Sequence, residues 1–256
     1  MRICRFRRHG ADRYGMIEGD TVRPLGAAPW AGGLAEGAPV PVAEVQLLAP
    51  VEPSKIVCVG KNYEAHAKEL GSEVPPTPLL FLKPPTAIVG PLEPIRCPAA
   101  SREVHHEAEL AVVIGRALTA VTAAEARRGI FGFTCVNDVT ARDIQREEKH
   151  FTRSKSFDTF CPVGPVVETA FDPLDASVVC RVNGAERQRG STRDMVVDPY
   201  ALVAFISSVM TLLPGDLVST GTPEGVGVLR PGDVVEVEVG GIGVLRNPVA
   251  ERSPRP

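Results

Sequence analysis

Where the chain has a hydrophobic period, it is mostly the period of two that belongs to strands. Ile3 to Phe6 and Tyr14 to Ile17 read as short strands, Glu18-Gly19-Asp20 supplies a turn, and a third strand is expected around Val22. Residues 24 to 44, rich in Ala, Gly and Pro, read as irregular chain or linker. From about residue 53, runs of β-branched residues divided by Gly and Pro take over: Lys55 to Val59, Leu79 to Lys83, Glu107 to Ile114, Phe131 to Val136, Val178 to Val182 and Val234 to Val239. Asn183-Gly184 is the signal of a type I′ hairpin turn, and Gly240-Gly241 turns the chain back after the last run.

Helices are few. Asn62 to Leu70 is polar and helix-capable, and Thr122 to Gly129 carries a capping box, with Thr122 as cap and Glu125 three residues on. Asp198-Pro199 opens the best helix, whose apolar stripe is Leu202, Phe205, Ile206, Val209 and Met210, with Pro214-Gly215 as its stop. Strands outnumber helices and do not alternate with them, which predicts an α+β protein rather than a doubly wound sheet. The expected division is a small β module with linker over 1–48, one larger domain over 53–250, and a tail over 251–256.

Composition changes this picture little. At 256 residues with 44% hydrophobic and 23% charged positions, the chain can bury a core without disulfides or structural zinc. The six cysteines are widely spaced and form no C-x-x-C pair, so idle buried thiols are expected. A formal charge of −3 with scattered basic residues gives no electrostatic case for nucleic acid. No apolar run is long enough to span a bilayer, and the amino terminus lacks the apolar stretch of a signal peptide. A reduced, cytoplasmic setting with no membrane partner is the expectation.

Candidate chemistry is concentrated in HHEAELAVVIG. On a strand, Glu107 and Glu109 share one face and Ala108, Leu110 and Val112 the other, with the carboxylates about 7 Å apart. Two like charges on one side of an apolar strand need water, basic side chains or a cation, and hard carboxylate oxygens suit Mg²⁺, Mn²⁺ or Ca²⁺. Read from spacing alone, a solvent-facing strand is the favoured answer, since E-x-E is a weak signal by itself. Asp138 terminates another apolar run, where a lone Asp also serves as a turn former. Arg142, Asp143 and Gln145 follow it within one or two helical turns. His66 and Glu69 are three apart and therefore neighbours on a helix, where a carboxylate can orient an imidazole as a base. TGTPEGVG lacks the phosphate-loop pattern but offers backbone N–H groups and the hydroxyls of Thr220 and Thr222 to an anion. Lys155 stands in the stretch Arg153-Ser-Lys-Ser-Phe157.

Together these segments resemble the fumarylacetoacetate hydrolase family. The strings VGKNYEAHAKEL, PLLFLKPPTAIVG, HHEAELAVVIG, GFTCVNDVTARDIQ, KSFDTFCPVGP, VNGAERQRG and LLPGDLVSTGTPEGVG carry the resemblance, from about residue 54 to residue 246. It implies a mixed β-sandwich roll that forms a homodimer, with Mg²⁺ or Mn²⁺ held by Glu107, Glu109 and Asp138. It further implies that Arg142 and Gln145 meet a small 2-oxo acid, that Lys155 steadies an enolate, and that Thr222 bonds the acid end. His66 and Glu69 match a lid dyad that activates water, and Asn62 to Pro78 is the expected lid. The implied activity is C–C hydrolysis of a 2-oxo or 1,3-dioxo acid. Oxaloacetate decarboxylation and hydroxymuconate-type isomerisation are the alternatives, and a non-catalytic metal-binding relative is the remote one.

Overall fold

Ala108–Ile114 is buried at every position, on both faces rather than in alternation between core and solvent. It lies inside a twelve-stranded sheet whose central run is Arg2–Arg8, Cys161–Glu168, Ile130–Asn137, Ala108–Ile114, Leu217–Ser219, Ile56–Gly60 and Leu79–Lys83. One face of this sheet packs on a five-stranded sheet ordered Ala185–Ser191, Ser177–Val182, Val234–Val239, Gly243–Glu251 and Ile95–Cys97. Leu110, Val112 and Cys135 from the large sheet meet Val178, Cys180, Val237 and Leu245 in the sandwich core. Ala111, Val113, Val136 and Val163 point the other way, into a second apolar cluster with Ile56, Cys58 and Leu217. The computed structural model describes residues 1–148 and 150–251. The expected tail beyond Glu251 lies outside the described residues.

The α+β expectation holds, and so do its local signals. Thr122 and Glu125 form the reciprocal capping box of Ala123–Gly129, and Asp198 accepts from the N–H groups of Tyr200 and Ala201 at the start of Pro199–Val209. Asn183 and Gly184 both take positive φ in the hairpin between Ser177–Val182 and Ala185–Ser191. Of the expected stripe of the long helix, Leu202 and Ile206 are buried and Phe205 and Met210 pack against the core; Val203 joins them, and Val209, the last residue of the helix, is exposed.

The amino-terminal strands are not held apart from the rest. Arg2–Arg8 pairs antiparallel with Cys161–Glu168, so the first module extends the large sheet, and Cys4, Phe6 and Val22 join the main core. Part of the expected linker is packed as well: the Trp30 ring stands edge-on to Tyr14 and to Phe131, with centroids 5.5 and 5.4 Å away. Five of the cysteines are buried and Cys97 is half-buried, and burial pushes the Cys135 and Cys161 thiols up to about 12. No helix among the described residues is long and apolar enough to cross a membrane.

Candidate active site

Strand register alone brings the acidic residues together. Ala108 lies opposite Asn137, so Glu107 and Asp138 are adjacent at the end of that pair, and the Asp138 N–H donates to the Glu107 carbonyl at 2.9 Å. On the other side Ala111 lies opposite Ser219, which carries the Thr220-Gly221-Thr222 backbone alongside Glu109. Glu107, Glu109 and Asp138 each offer an oxygen within 4.8 Å of the others. They are only 4%, 2% and 1% exposed, which removes the solvent-facing reading of the two glutamates. The alternation is as expected, with Ala108, Leu110 and Val112 in the sandwich core and the carboxylates on the opposite side.

Basic side chains answer part of the acidic charge. Lys155, presented by the short helix Thr152–Lys155, donates to Glu107 Oε2 at 2.7 Å and Asp138 Oδ2 at 2.6 Å. Arg142 caps Glu107 Oε1, and Lys83 Nζ donates to Asp138 Oδ1 and to the Val139 carbonyl. Burial pushes the Glu107 carboxyl upward, but Lys155 and Arg142 outweigh it and hold the group well below the usual range. Burial alone would lower the Lys155 ammonium, yet Asp138 and Glu107 raise it.

Glu109 is treated differently. Its Oε2 accepts from the Ser219 hydroxyl and the Gly221 N–H, and among the described residues no basic side chain pairs with it. Burial, followed by the charges of Asp138 and Glu107, pushes it up to about 8. Three close, buried carboxylates, one without a cation of its own, form an oxygen donor set that fits a hard divalent ion.

Lys83 escaped the sequence reading. It ends the strand Leu79–Lys83 with its side chain buried, and the only hint was a lysine closing an apolar run just before Pro84-Pro85. Lys83→Met leaves Asp138 with one cation fewer and the Val139 carbonyl without that donor. We expect a loss of roughly 3 kcal/mol in urea unfolding. A midpoint equal to that of the wild type would show that the pair is dispensable for stability.

The dyad faces the same space. His66 lies on the helix Glu64–Glu69 and is buried, with Nδ1 3.2 Å from Glu69 Oε2. A carboxylate can only accept, so Nδ1 carries the proton, and in the neutral ring Nε2 keeps its lone pair. Glu69 Oε1 accepts from the Gly225 N–H at 3.0 Å, which ties the helix to the TGTPEGVG loop. The start of the expected lid is anchored. The Asn62 amide donates to the carbonyls of Val197 and Thr220 and accepts from the Val197 N–H, while Tyr63 and Ala67 are buried.

His66, Glu69, Glu107, Glu109, Asp138, Arg142, Gln145, Lys155 and Thr222 all line one cavity of about 440 Å³. Arg142 donates to Gln145 Oε1, so the amide N–H₂ of Gln145 remains available to a ligand. Thr222 is more committed than the resemblance implies. Its hydroxyl donates to the Ala108 carbonyl and accepts from Gln188 Nε2, both at 2.8 Å. To donate to a ligand oxygen it must release Ala108. Gln188, a second residue the sequence reading missed, also accepts from the Ala108 N–H and pairs with His106.

A β-sandwich that concentrates charged groups around one cavity defines the class, and comparison with known proteins supplies the family. The family model described as fumarylacetoacetate (FAA) hydrolase C-terminal matches residues 55–250, and one described as Rv2993c-like, N-terminal matches residues 1–50. The chain belongs to the fumarylacetoacetate hydrolase family. It is 46% identical to the crystal structure of a 2-hydroxyhepta-2,4-diene-1,7-dioate isomerase from Mycobacterium marinum, with a TM-score of 0.92 over 99% of this chain and 100% of that one. The human mitochondrial oxaloacetate tautomerase FAHD2A is 44% identical over 223 residues, 82% of this chain and 71% of the tautomerase. A maleylpyruvate hydrolase from Sphingobium sp. SYK-6, solved with manganese(II) and pyruvate, is 33% identical, with a TM-score of 0.82 over 99% of this chain and 100% of that one. Named members of the family are thus isomerases, tautomerases and hydrolases.

Proposed function

We propose that this protein is a divalent-metal-dependent hydrolase that cleaves a C–C bond in a small 2-oxo or 1,3-dioxo acid, such as an acylpyruvate. The observation that carries this reading is the position of an oriented imidazole–carboxylate pair over the same cavity as three buried carboxylates. Glu107, Glu109 and Asp138 would hold Mg²⁺ or Mn²⁺, which supplies a Lewis acid for the oxygens of the 2-oxo acid. Manganese in the maleylpyruvate hydrolase supports that choice of metals.

The remaining roles belong to the chain itself. Arg142 and the Gln145 amide orient the carboxylate and keto oxygens, and the Lys155 ammonium, 5.0 Å above the Phe81 ring, offers positive charge to a developing enolate. His66 Nε2 takes a proton from water while Glu69 stabilises the imidazolium, and the water attacks the distal carbonyl. Burial of His66, Arg142 and Lys155 strengthens the interactions that they make.

A second reading, keto–enol tautomerisation or diene isomerisation, is favoured by the names of the relatives at 44–46% identity. It needs only proton transfer, which the same dyad can perform. Assays on acetylpyruvate, oxaloacetate and hydroxyheptadienedioate, each with Mg²⁺ and with EDTA, separate the two readings. Release of pyruvate and acetate that stops with EDTA is the expected result. Interconversion of enol and keto forms without C–C cleavage would establish the second reading, and equal turnover with EDTA would remove the metal.

A further inference from the structure

The chain that carries Glu107 and Glu109 changes sheets between them and its preceding strand. Val104–His106 belongs to a three-stranded sheet with Thr140–Ala141 and Gly227–Leu229, and Ala108–Ile114 to the large sheet, so Glu107 stands between the two. The neighbouring strand Leu217–Ser219 pairs only as far as Ser219 opposite Ala111, and beyond it the Thr220 N–H still reaches the Leu110 carbonyl. From there side chains take the place of a strand. The Glu107 N–H donates to Asn137 Oδ1 and the Ala108 N–H to Gln188 Oε1, both at 3.0 Å, and the Ala108 carbonyl accepts from the Thr222 hydroxyl.

The amide of Gln188 is fixed at both ends. The Ala108 N–H can only donate and the Pro223 carbonyl, 2.8 Å from Nε2, can only accept, which decides which end of the amide is oxygen. Oε1 then accepts a second bond from His106 Nδ1, and Nε2 gives its second proton to Thr222 Oγ1. Four hydrogen bonds thus fill the capacity of a side chain that is 1% exposed. Its strand Ala185–Ser191 lies directly on the TGTPEGVG loop: a Cβ on Gly190 would stand 2.6 Å from Pro223 Cβ, and one on Gly225 2.2 Å from the Arg187 carbonyl oxygen. The same stretch gives Glu109 its donors, Ser219 and Gly221. Gln188 therefore ties the backbone between the two glutamates to the loop that holds the second of them. Asn137 does the same for Glu107 alone, also 1% exposed, and its Nδ2 has no partner among the described residues. Aspartate would accept from that N–H with no donor left over, but it would set a fourth carboxylate next to the other three.

We propose that Asn137 and Gln188 are positioning residues of the metal site, whose carboxamides hold the backbone under Glu107 and Glu109 so that the carboxylates converge on one point for a divalent cation. This rests on the metal reading above. Along a regular strand two side chains on one face are about 7 Å apart, whereas oxygens of Glu107, Glu109 and Asp138 lie within 4.8 Å of one another. Like charges brought that close repel, and a backbone free to shift would let them part. Neutral amides resist that shift without altering the charge that a cation meets.

Calorimetric titration with Mg²⁺, at a temperature where every variant is folded, tests this without depending on the reaction. Gln188→Met keeps the length of the side chain and loses all four bonds, and Asn137→Leu loses the acceptor for Glu107. Each is expected to bind Mg²⁺ about 10–100-fold more weakly than the wild type. Asn137→Asp retains the accepting oxygen and should bind no more weakly than the wild type. Asn247→Leu is the control for stability: its carboxamide, 1% exposed on Gly243–Glu251 of the same five-stranded sheet, donates to the carbonyls of Gly90 and Glu93, away from the cavity. It should lower the melting temperature as Gln188→Met does and leave Mg²⁺ affinity within about twofold. Wild-type affinity in both Gln188→Met and Asn137→Leu overturns this inference alone. An equal loss of affinity in Asn247→Leu would reduce the two amides to general supports of the fold. Absence of Mg²⁺ binding by the wild type overturns the metal reading and this inference with it.

Discussion

Glu109→Gln is expected to reduce metal-dependent turnover on the order of a thousandfold while leaving the protein folded, and to remove most of its calorimetric affinity for Mg²⁺. The expectation follows from how the three carboxylates are partnered. Glu107 and Asp138 are held by Arg142, Lys155 and Lys83, so neutralising either one strands a buried cation. Glu109 has only a hydroxyl and a backbone N–H, and both can donate to an amide oxygen. The substitution therefore isolates the charge that a divalent ion would need. It also gives a test in pH. In the folded protein without metal Glu109 keeps its proton up to about 8, whereas in the unfolded chain it loses it near ~4.3. Between those values the folded state binds more protons, so stability falls as pH rises. His105 and His106, lowered mainly by burial, work in the opposite direction, but they are common to both proteins. In EDTA the wild-type melting temperature should fall on the order of 5 °C further than that of Glu109→Gln between pH 5.5 and pH 8. Parallel curves would show that Glu109 is ionised without a metal and would remove the electrostatic basis for the site.

Local signals in the sequence carried most of the elements that could be read there. Caps, hairpin glycines and β-branched runs act through neighbouring residues, and Thr122, Asp198 and Asn183-Gly184 did what such residues do elsewhere. Cys161–Glu168 and Gly243–Glu251 were not legible as strands, because Pro162, Pro165 and Pro248 imitate loop chemistry. Cys161–Glu168 nevertheless lies between Arg2–Arg8 and Ile130–Asn137, with an irregular register against the latter that accommodates its prolines. The site divides in the same way. Glu107 and Glu109 were visible as an anomaly on one strand, whereas their nearness to Asp138 depends on the pairing of Ala108 with Asn137, which no single segment encodes. Lys83 lay further out of reach, since a lysine at a strand end is ordinarily a solvated one and only the tertiary structure buries it against Asp138. Resemblance across the chain supplied the set of residues; the structure supplied their partners, and with Thr222 it shows a hydroxyl already engaged.

His66→Ala is expected to lower acetylpyruvate hydrolysis by roughly 10²–10⁴-fold while changing oxaloacetate decarboxylation by less than about tenfold. The difference follows from what each reaction asks of the dyad. Hydrolysis needs a base to take a proton from water, and His66 Nε2 is the available lone pair because Nδ1 is committed to Glu69. Decarboxylation needs no attacking water; it needs only the positive groups at the floor of the cavity, which His66→Ala leaves in place. Glu69→Gln refines the comparison. An amide can still accept from Nδ1 and can keep the imidazole oriented, but it cannot stabilise the imidazolium that forms when the proton is taken. It should therefore lose part of the hydrolytic rate. Full hydrolysis by His66→Ala would end the water-activation role. An equal loss in hydrolysis and decarboxylation would instead place His66 in the packing of the helix Glu64–Glu69, where its burial against the cavity would be the whole of its contribution.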